Sequence, residues 1–329
     1  MTAEPPDGSV TPAGRVVLVL PLLDERATVD ALLADCRALD PAPDEVVAVD
    51  AGSADGTRER LAELAREWPA LRVVDAPGAH PGAARDAGIR ASDAAVVATL
   101  DAGSRIGPGW LGALTAPVLA APRTVAVGVV EPDAHTAFER AAGWSTVRAF
   151  KSPAGGNALA RRALPAGRSG YCFRRASWAE AGGYPETRWS EDKRFAARLL
   201  DAGHALEVVP AAVVRWRPRT TPGALFRQYA YYSRADMHAG LDRRNSVPTV
   251  AAAGALAALA GSSRAGRRIA AAGGAAYLAA YGVRAARDGL DPRALAWVPV
   301  VRAAVDAGKV TGCARGALEI AAGRLARSP

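Results

Sequence analysis

Cysteine is scarce: Cys36, Cys172 and Cys313 are the only three in 329 residues, and they lie far apart. That spacing excludes a disulfide framework and a zinc-ligand cluster, and it implies reduced, cytosolic thiols. The chain also lacks a cationic start followed by an apolar core. Residues 1–14, bearing Pro, Gly and acids, are expected to form a disordered leader. No G-x-G-x-x-G follows the first apolar run, where Pro21-Leu22-Leu23-Asp24-Glu25 stands, and no Walker A sequence occurs. A nicotinamide dehydrogenase and a P-loop NTPase are therefore disfavoured. Long apolar runs are missing too. Asn245 to Ser263 is uncharged but Ala-dominated, and Ile269 to Val283 is shorter than the ~20 residues a spanning helix wants.

What is present is an uneven charge of +8. From Val247 to Pro329, Arg or Lys occupies positions 264, 267, 268, 284, 287, 293, 302, 309, 315, 324 and 327. Only Asp288, Asp291, Asp306 and Glu319 oppose them. A basic tail seeks nucleic acid, an anionic membrane surface or an acidic partner. Aromatics interleaved with basic residues would favour nucleic acid, yet Tyr277, Tyr281 and Trp297 stand in Ala-rich apolar runs. The expected partner is an anionic membrane surface, with no nucleic acid. A spanning hairpin would put Arg264, Arg267 and Arg268 outside, against the positive-inside tendency. Helices lying on the membrane or docked on the domain are the expectation, spanning the second reading, and the location cytoplasmic, at the inner face of the membrane.

Four apolar runs alternate with helical stripes. Arg15 to Pro21 reads as a buried strand, and a helix opening at Asp24-Glu25-Arg26 carries Val29, Leu32, Leu33, Cys36 and Leu39. Glu45 to Asp50 is the second strand, and Leu61, Leu64 and Trp68 mark the next helix. Leu71 to Asp75 is the third strand, followed by a Gly/Pro loop and a helix over Ala83 to Ala91. Val96 onward is the fourth, running into Asp101-Ala102-Gly103-Ser104. This rhythm predicts the α/β class, a mostly parallel sheet with helices on both faces. A strand is expected over Thr124 to Glu131 and an irregular stretch over 132–162. Loops should follow at 154–157 and 165–170, then a short strand over Tyr171 to Phe173. The divisions expected are 15–120 as a nucleotide-binding half, 121–245 as an acceptor half, and 246–329 as a helical tail ending in a helical pair over Leu295 to Leu325.

In open α/β sheets, ligands sit outside the carboxyl ends of the strands. Asp50 and Asp101 stand there, and carboxylates suit ribose hydroxyls, a uracil N–H or a metal that carries a diphosphate. Asp101 could equally cap the helix beginning near Trp110. Glu191 and Asp192 fall in the first turn of a helix with Ser190 as its expected N-cap, where acids complement the helix dipole.

Taken together, these residues resemble glycosyltransferase family 2, of the GT-A fold, over roughly residues 15 to 240. The resemblance rests on Pro21 to Glu25, with Asp24 where Asn is usual, and on Val49 to Thr57, with Ala51 replacing an Asp. Ala79 to Gly88 keeps Arg85 and has Asp86 in the Asn place. Asp101-Ala102-Gly103 matches an Asp-x-Asp strand end, and Gly182 to Glu186 with Glu191-Asp192 completes the order. The family implies inverting sugar transfer from a nucleotide-diphosphate donor. By similarity Pro21, Glu25, Asp50, Gly52, Ser53, Arg85, Asp101, Ala102 and Gly103 would bind the donor. Asp192 would be the general base, with Glu191 beside it.

The departures matter as much. Gly103 cannot ligate a metal, and Arg215-Trp216-Arg217-Pro218-Arg219 stands where many relatives place a metal-binding His. Asp101 remains a weak candidate ligand for Mg²⁺ or Mn²⁺. Arg215, Arg217 and Arg219 could instead neutralise the diphosphate, with Trp216 nearby, or could be solvated strand-end residues. Gln228 is followed by Tyr231-Tyr232 rather than the Gln-x-x-Arg-Trp of processive synthases, so transfer of a single sugar is expected. Tyr231 could stack on an acceptor, which a lipid-linked sugar would fit, but a core-facing aromatic stripe is favoured. Two other readings stand beside the transferase. One is a catalytically inert sugar-nucleotide-binding protein; the other is a nucleotidyltransferase, which would usually carry a Gly-rich basic signature after the first strand.

Overall fold

The computed structural model describes residues 14–147, 170–187, 189–241 and 246–325. The chain divides into two compact units. The first comprises 1–130, 150–187 and 191–216; the second comprises 131–149, 188–190 and 217–329.

The first unit is built on β1 (Val16–Leu22), β2 (Glu45–Asp50), β3 (Leu71–Asp75) and β4 (Val96–Thr99), all parallel, in the order β3-β2-β1-β4. Successive side chains on a strand point to opposite faces, and both faces of β1 are dry. Leu18, Leu20 and Leu22 pack on one side with α1 (Val29–Arg37), α2 (Thr57–Glu67) and α4 (Trp110–Ala120). Val17 and Val19 pack on the other with α3 (Pro81–Arg90) and the helix Glu191–Asp201. This is why the strands read as continuous apolar runs rather than alternating ones. Gly88 lets α3 lie flat on the sheet, since a Cβ there would come within 2.5 Å of Val19 and 2.9 Å of Val49.

Beyond β4 the sheet turns antiparallel. It continues through β7 (Tyr171–Arg174), β6 (Thr124–Pro132), β8 (Ala205–Trp216) and β5 (Ser104–Ile106), with β4–β7, β6–β7 and β5–β8 antiparallel. The parallel character expected of the sheet thus belongs to its first four strands. Several boundaries also differ. The first helix opens at Val29, not at Asp24, because Asp24 adopts φ 55° and the Glu25 carbonyl accepts from the Thr28 and Val29 amides in a tight turn. Helix α3 opens at Pro81, with His80 Nδ1 accepting from the Ala83 amide at 3.2 Å. Within the stretch expected to be irregular, α5 (Ala137–Val147) forms. Residues 148–162 of that stretch, the loop at 154–157 and most of 165–170 lie outside the described residues, as does nearly all of the leader.

Two further helices complete the first unit, α6 (Arg175–Glu180) and α7 (Glu191–Asp201). The second unit holds α5, α8 (Pro222–Ala239), α9 (Val247–Ser262), α10 (Arg264–Arg287), α11 (Pro292–Leu295) and α12 (Val298–Leu325). The expected closing pair is instead a short turn of helix and one 28-residue helix. The core of this unit joins Phe138, Ala141, Leu225, Ala285, Val298, Val301 and Val305. Glycines every fourth residue bring α12 onto α8: a Cβ at Gly308 or Gly312 would meet the carbonyl oxygens of Phe226 or Ala230 at 2.6 and 2.3 Å. In contrast, α9 buries none of its residues. Among the described residues no helix is long and apolar enough to cross a membrane.

Candidate active site

The carboxyl ends of β1, β2 and β4 meet at one edge of the sheet. Leu22 is in register with Asp50, and the Leu100 amide, just past β4, donates to the Val19 carbonyl. Asp101 follows directly. It does not cap α4: β5 intervenes, and the residue at that helix's N-cap is Gly109. Its carboxylate is ion-paired with Arg85 of α3 instead.

Arg85 is the centre of the site. Its side chain is buried, with the residue 2% exposed. Beyond Asp101, its Nη1 donates to Glu191 Oε1 at 3.2 Å. The guanidinium also lies over the Tyr184 ring, 5.4 Å from its centroid. Tyr184 stacks in turn on Phe195 of α7, with ring centroids 4.1 Å apart. One guanidinium therefore ties the β4 end to the first turn of α7, joining positions 16 and 106 residues away in sequence. Gly82 makes the approach possible, since a Cβ there would fall 2.9 Å from Glu191 Cγ.

Burial and pairing act in opposite directions on the members of this cluster. Burial works against the charged Arg85, but Asp101, Glu191 and Asp192 outweigh it and hold the guanidinium well above its ordinary pKa. Glu191 moves the other way for an acid. Burial, then the adjacent Asp192, raise its pKa above the ordinary 4.5, and Arg85 offsets only part of this. A simple ion pair would lower it. The difference arises because burial and the adjacent Asp192 together outweigh the pairing with Arg85. Asp192 Oδ1 accepts from the Lys193 amide at 2.7 Å.

The remaining residues expected at the donor form an interlocked loop. Asp50 is 1% exposed, and its carboxylate accepts from the Gly52 and Ser53 amides at about 3.1 Å. Ser53 Oγ accepts from the Asp24 amide at 2.9 Å, and Thr57 Oγ1 from the Glu25 amide at 2.8 Å. Gly52, at φ 99°, lies against Pro77 after β3. Pro21 lies in β1 opposite Val49. Ala102 packs on the core, and Gly103, at φ 70°, faces open space.

The arginine stretch divides. Arg215 is exposed on β8, opposite Arg105, and Trp216 stands opposite Ser104. Arg217, in the second unit, is bound to the fully buried Glu139 at 3.0 Å. Arg219 is exposed. Among the expected phosphate arginines, Arg217 therefore already serves a buried acid of its own unit, while Arg85 holds the β4 end. The tyrosine stripe is not core-facing at its centre: Tyr231 is 50% exposed and Tyr232 is exposed, while Tyr229 packs on the core. Tyr231 lies 6.0 Å from Trp189, which stacks flat on His238 at 4.9 Å.

Asp101 is a single carboxylate already paired with Arg85, and Ala102 and Gly103 bring no ligand. Among the described residues no group of three His, Cys, Asp or Glu could hold a metal ion. Sequence reasoning missed Tyr184, Trp178 and Asp86 as parts of the site. Only the Gly-Gly-aromatic stretch signalled that something packs there.

Known proteins resemble this chain in sequence and in fold. The family model "Glycosyl transferase family 2" matches residues 17–177. The succinoglycan biosynthesis protein ExoA of Rhizobium meliloti (strain 1021) is 27% identical over 227 residues, covering 66% of this chain and 68% of that protein. The mannosyltransferase PcManGT from Pyrobaculum calidifontis, solved in complex with GDP-Man and Mn²⁺, superposes with a TM-score of 0.62 at 19% identity, covering 93% of this chain and 87% of its own. The family match spans the segments that carry Asp50, Arg85 and Asp101, and the fold is shared beyond it: residues 17–177 are similar to glycosyltransferase family 2, and the chain has the GT-A-like fold of these sugar transferases.

Proposed function

We propose that the protein transfers a single sugar, with inversion, from a nucleoside-diphosphate sugar to an acceptor hydroxyl. The observation that carries this reading is the Arg85 bridge, which puts the Asp101 strand end and the Glu191–Asp192 pair in one cluster. The loop of Asp50, Gly52 and Ser53, with Pro21 and Glu25, receives the base and ribose. Asp101 stands at the ribose and diphosphate. The acceptor oxygen attacks the anomeric carbon, the bond to the diphosphate breaks, and the acceptor proton passes to the Asp192 carboxylate. Arg85, buried and tied to Asp101 and Glu191, holds those acids in place, and the exposed Arg215 is the arginine left to meet the charge developing on the leaving diphosphate. Glu191, held by Arg85, orients the Arg85 guanidinium from the other side. PcManGT was solved with GDP-Man and Mn²⁺. In this chain the diphosphate is neutralised chiefly by arginine, and Mg²⁺ or Mn²⁺ contributes weakly.

The acceptor is a lipid-linked sugar or a similar hydroxyl at an anionic membrane surface, with Tyr231 as the acceptor-contacting candidate of the second unit. Helices α9 and α10 support this. They contain no acid, and they carry Arg264, Arg267, Arg268, Arg284 and Arg287 beside exposed Val247, Leu256, Ile269 and Val283. A thermal-shift screen of nucleoside-diphosphate sugars tests the donor, because a ligand that binds only the native state raises its melting point. A raised melting point with sugar turnover supports transfer. Binding without any turnover would leave an inert sugar-nucleotide-binding protein.

A further inference from the structure

We propose that Asp86 is a positioning residue for the transfer site. Its buried carboxylate fastens the Gly182-Gly183-Tyr184 turn, and through it sets where Arg85 meets the first turn of α7. Asp86 follows Arg85 on α3 and is 6% exposed. Oδ1 accepts from Trp178 Nε1 at 2.7 Å and from the Tyr184 amide at 3.0 Å, while Oδ2 pairs with Arg90 at 3.3 Å. Arg90 lies in turn over the Trp178 ring. Gly183 is compelled by this arrangement. It holds φ 72°, and a Cβ there would stand 2.9 Å from Asp86 Oδ2. The turn delivers Tyr184, whose ring touches both halves of the site: the Arg85 guanidinium on one hand and Phe195 of α7 on the other. A buried acceptor with two directed donors fixes geometry, because moving the turn would leave Trp178 Nε1 and the Tyr184 amide unpaired. Both of those bonds end on a single oxygen, so an amide oxygen can replace it.

The test uses the full chain as wild type, Asp86→Asn and Asp86→Ala. Two readouts are taken: amide hydrogen exchange, and release of nucleoside diphosphate from GDP-mannose and UDP-glucose. The turnover readout rests on the glycosyl-transfer reading, whereas the exchange readout does not. Asp86→Ala should speed exchange over 183–195 about tenfold. It should also lower kcat by about the same factor, with the donor KM changed by less than about threefold. Asp86→Asn should restore both to within about threefold of wild type. If wild type turns over neither donor, the transfer reading fails and exchange alone decides the role of Asp86. Should Asp86→Ala not fold, Trp178→Phe removes one of the two Oδ1 bonds and should give the same confined acceleration to a smaller degree. An alanine variant that only melts earlier, with local exchange and kcat unchanged, would overturn the proposal. So would an asparagine variant as impaired as the alanine one, or a silent Trp178→Phe.

Discussion

Arg85 carries a charge that Asp101, Glu191 and Asp192 all draw on, and its removal has consequences at both ends of the site. Arg85→Met should leave the largely buried Glu191 without this partner, with Asp101 still about one-third exposed, and destabilise the protein by about 1–3 kcal/mol, read as a shift in denaturant midpoint. The raised Glu191 pKa gives a pH signature. The folded state takes up that proton more readily than the unfolded chain. The contribution of Glu191 to stability is therefore full below the ordinary value of 4.5 and is lost as pH rises through the raised value. Melting curves of Glu191→Gln and wild type should diverge in the variant's favour as pH climbs above 4.5, and converge below it. Gly103 offers a complementary test. Its Cβ position is open, and Asp tolerates the left-handed backbone at a modest cost. Gly103→Asp should thus tighten Mn²⁺ binding in the presence of GDP, while wild-type donor binding should largely survive EDTA. Strict Mg²⁺ or Mn²⁺ dependence in the wild type would contradict the assignment of diphosphate charge to arginine.

Helix α3 does more than connect β3 to β4. Ala84 and Gly88, on its face against the sheet, are too small to hold the helix away, and Gly82 in its first turn lies against Glu191 of α7. Gly88→Ala would push a methyl into Val19 and Val49 and should cost about 1–3 kcal/mol, measured by chemical denaturation. The strands of the first half were legible because apolar runs such as Val46 to Val49 and Val96 to Ala98, buried on both faces, have few other uses. Boundaries set by turns were less so. Asp24 and Glu25 look like a helical first turn, but the Ser53 and Thr57 hydroxyls hold their amides in a loop instead. The motif residues were found in order, yet their linkage was not. Nothing local in Arg85 says that it will reach both Asp101 and Glu191, because the sheet order brings those segments together. The long α12 was hidden for a related reason: its glycines suggest interruption, whereas they serve close packing on α8.

At the scale of the whole chain, the basic, Ala-rich end separates this protein from a bare catalytic domain. The second unit has its own core, and Arg140–Asp291 and Tyr277–Asp306 contacts at 2.7 Å tie its helices together. With no residue of α9 fully buried, cosedimentation with phosphatidylserine-rich vesicles should exceed that with neutral vesicles and fall with added salt. Equal retention on both would remove the membrane surface as a partner. The most direct test of the whole reading is sugar transfer by wild type and Asp192→Asn, both shown to be folded by their melting curves. Nucleoside-diphosphate release from GDP-mannose or UDP-glucose should fall by about 10²–10⁴ in the variant, with donor affinity nearly unchanged. Equal rates for the two proteins would contradict the role given to Asp192 and, with it, the chemistry assigned to the Arg85 cluster.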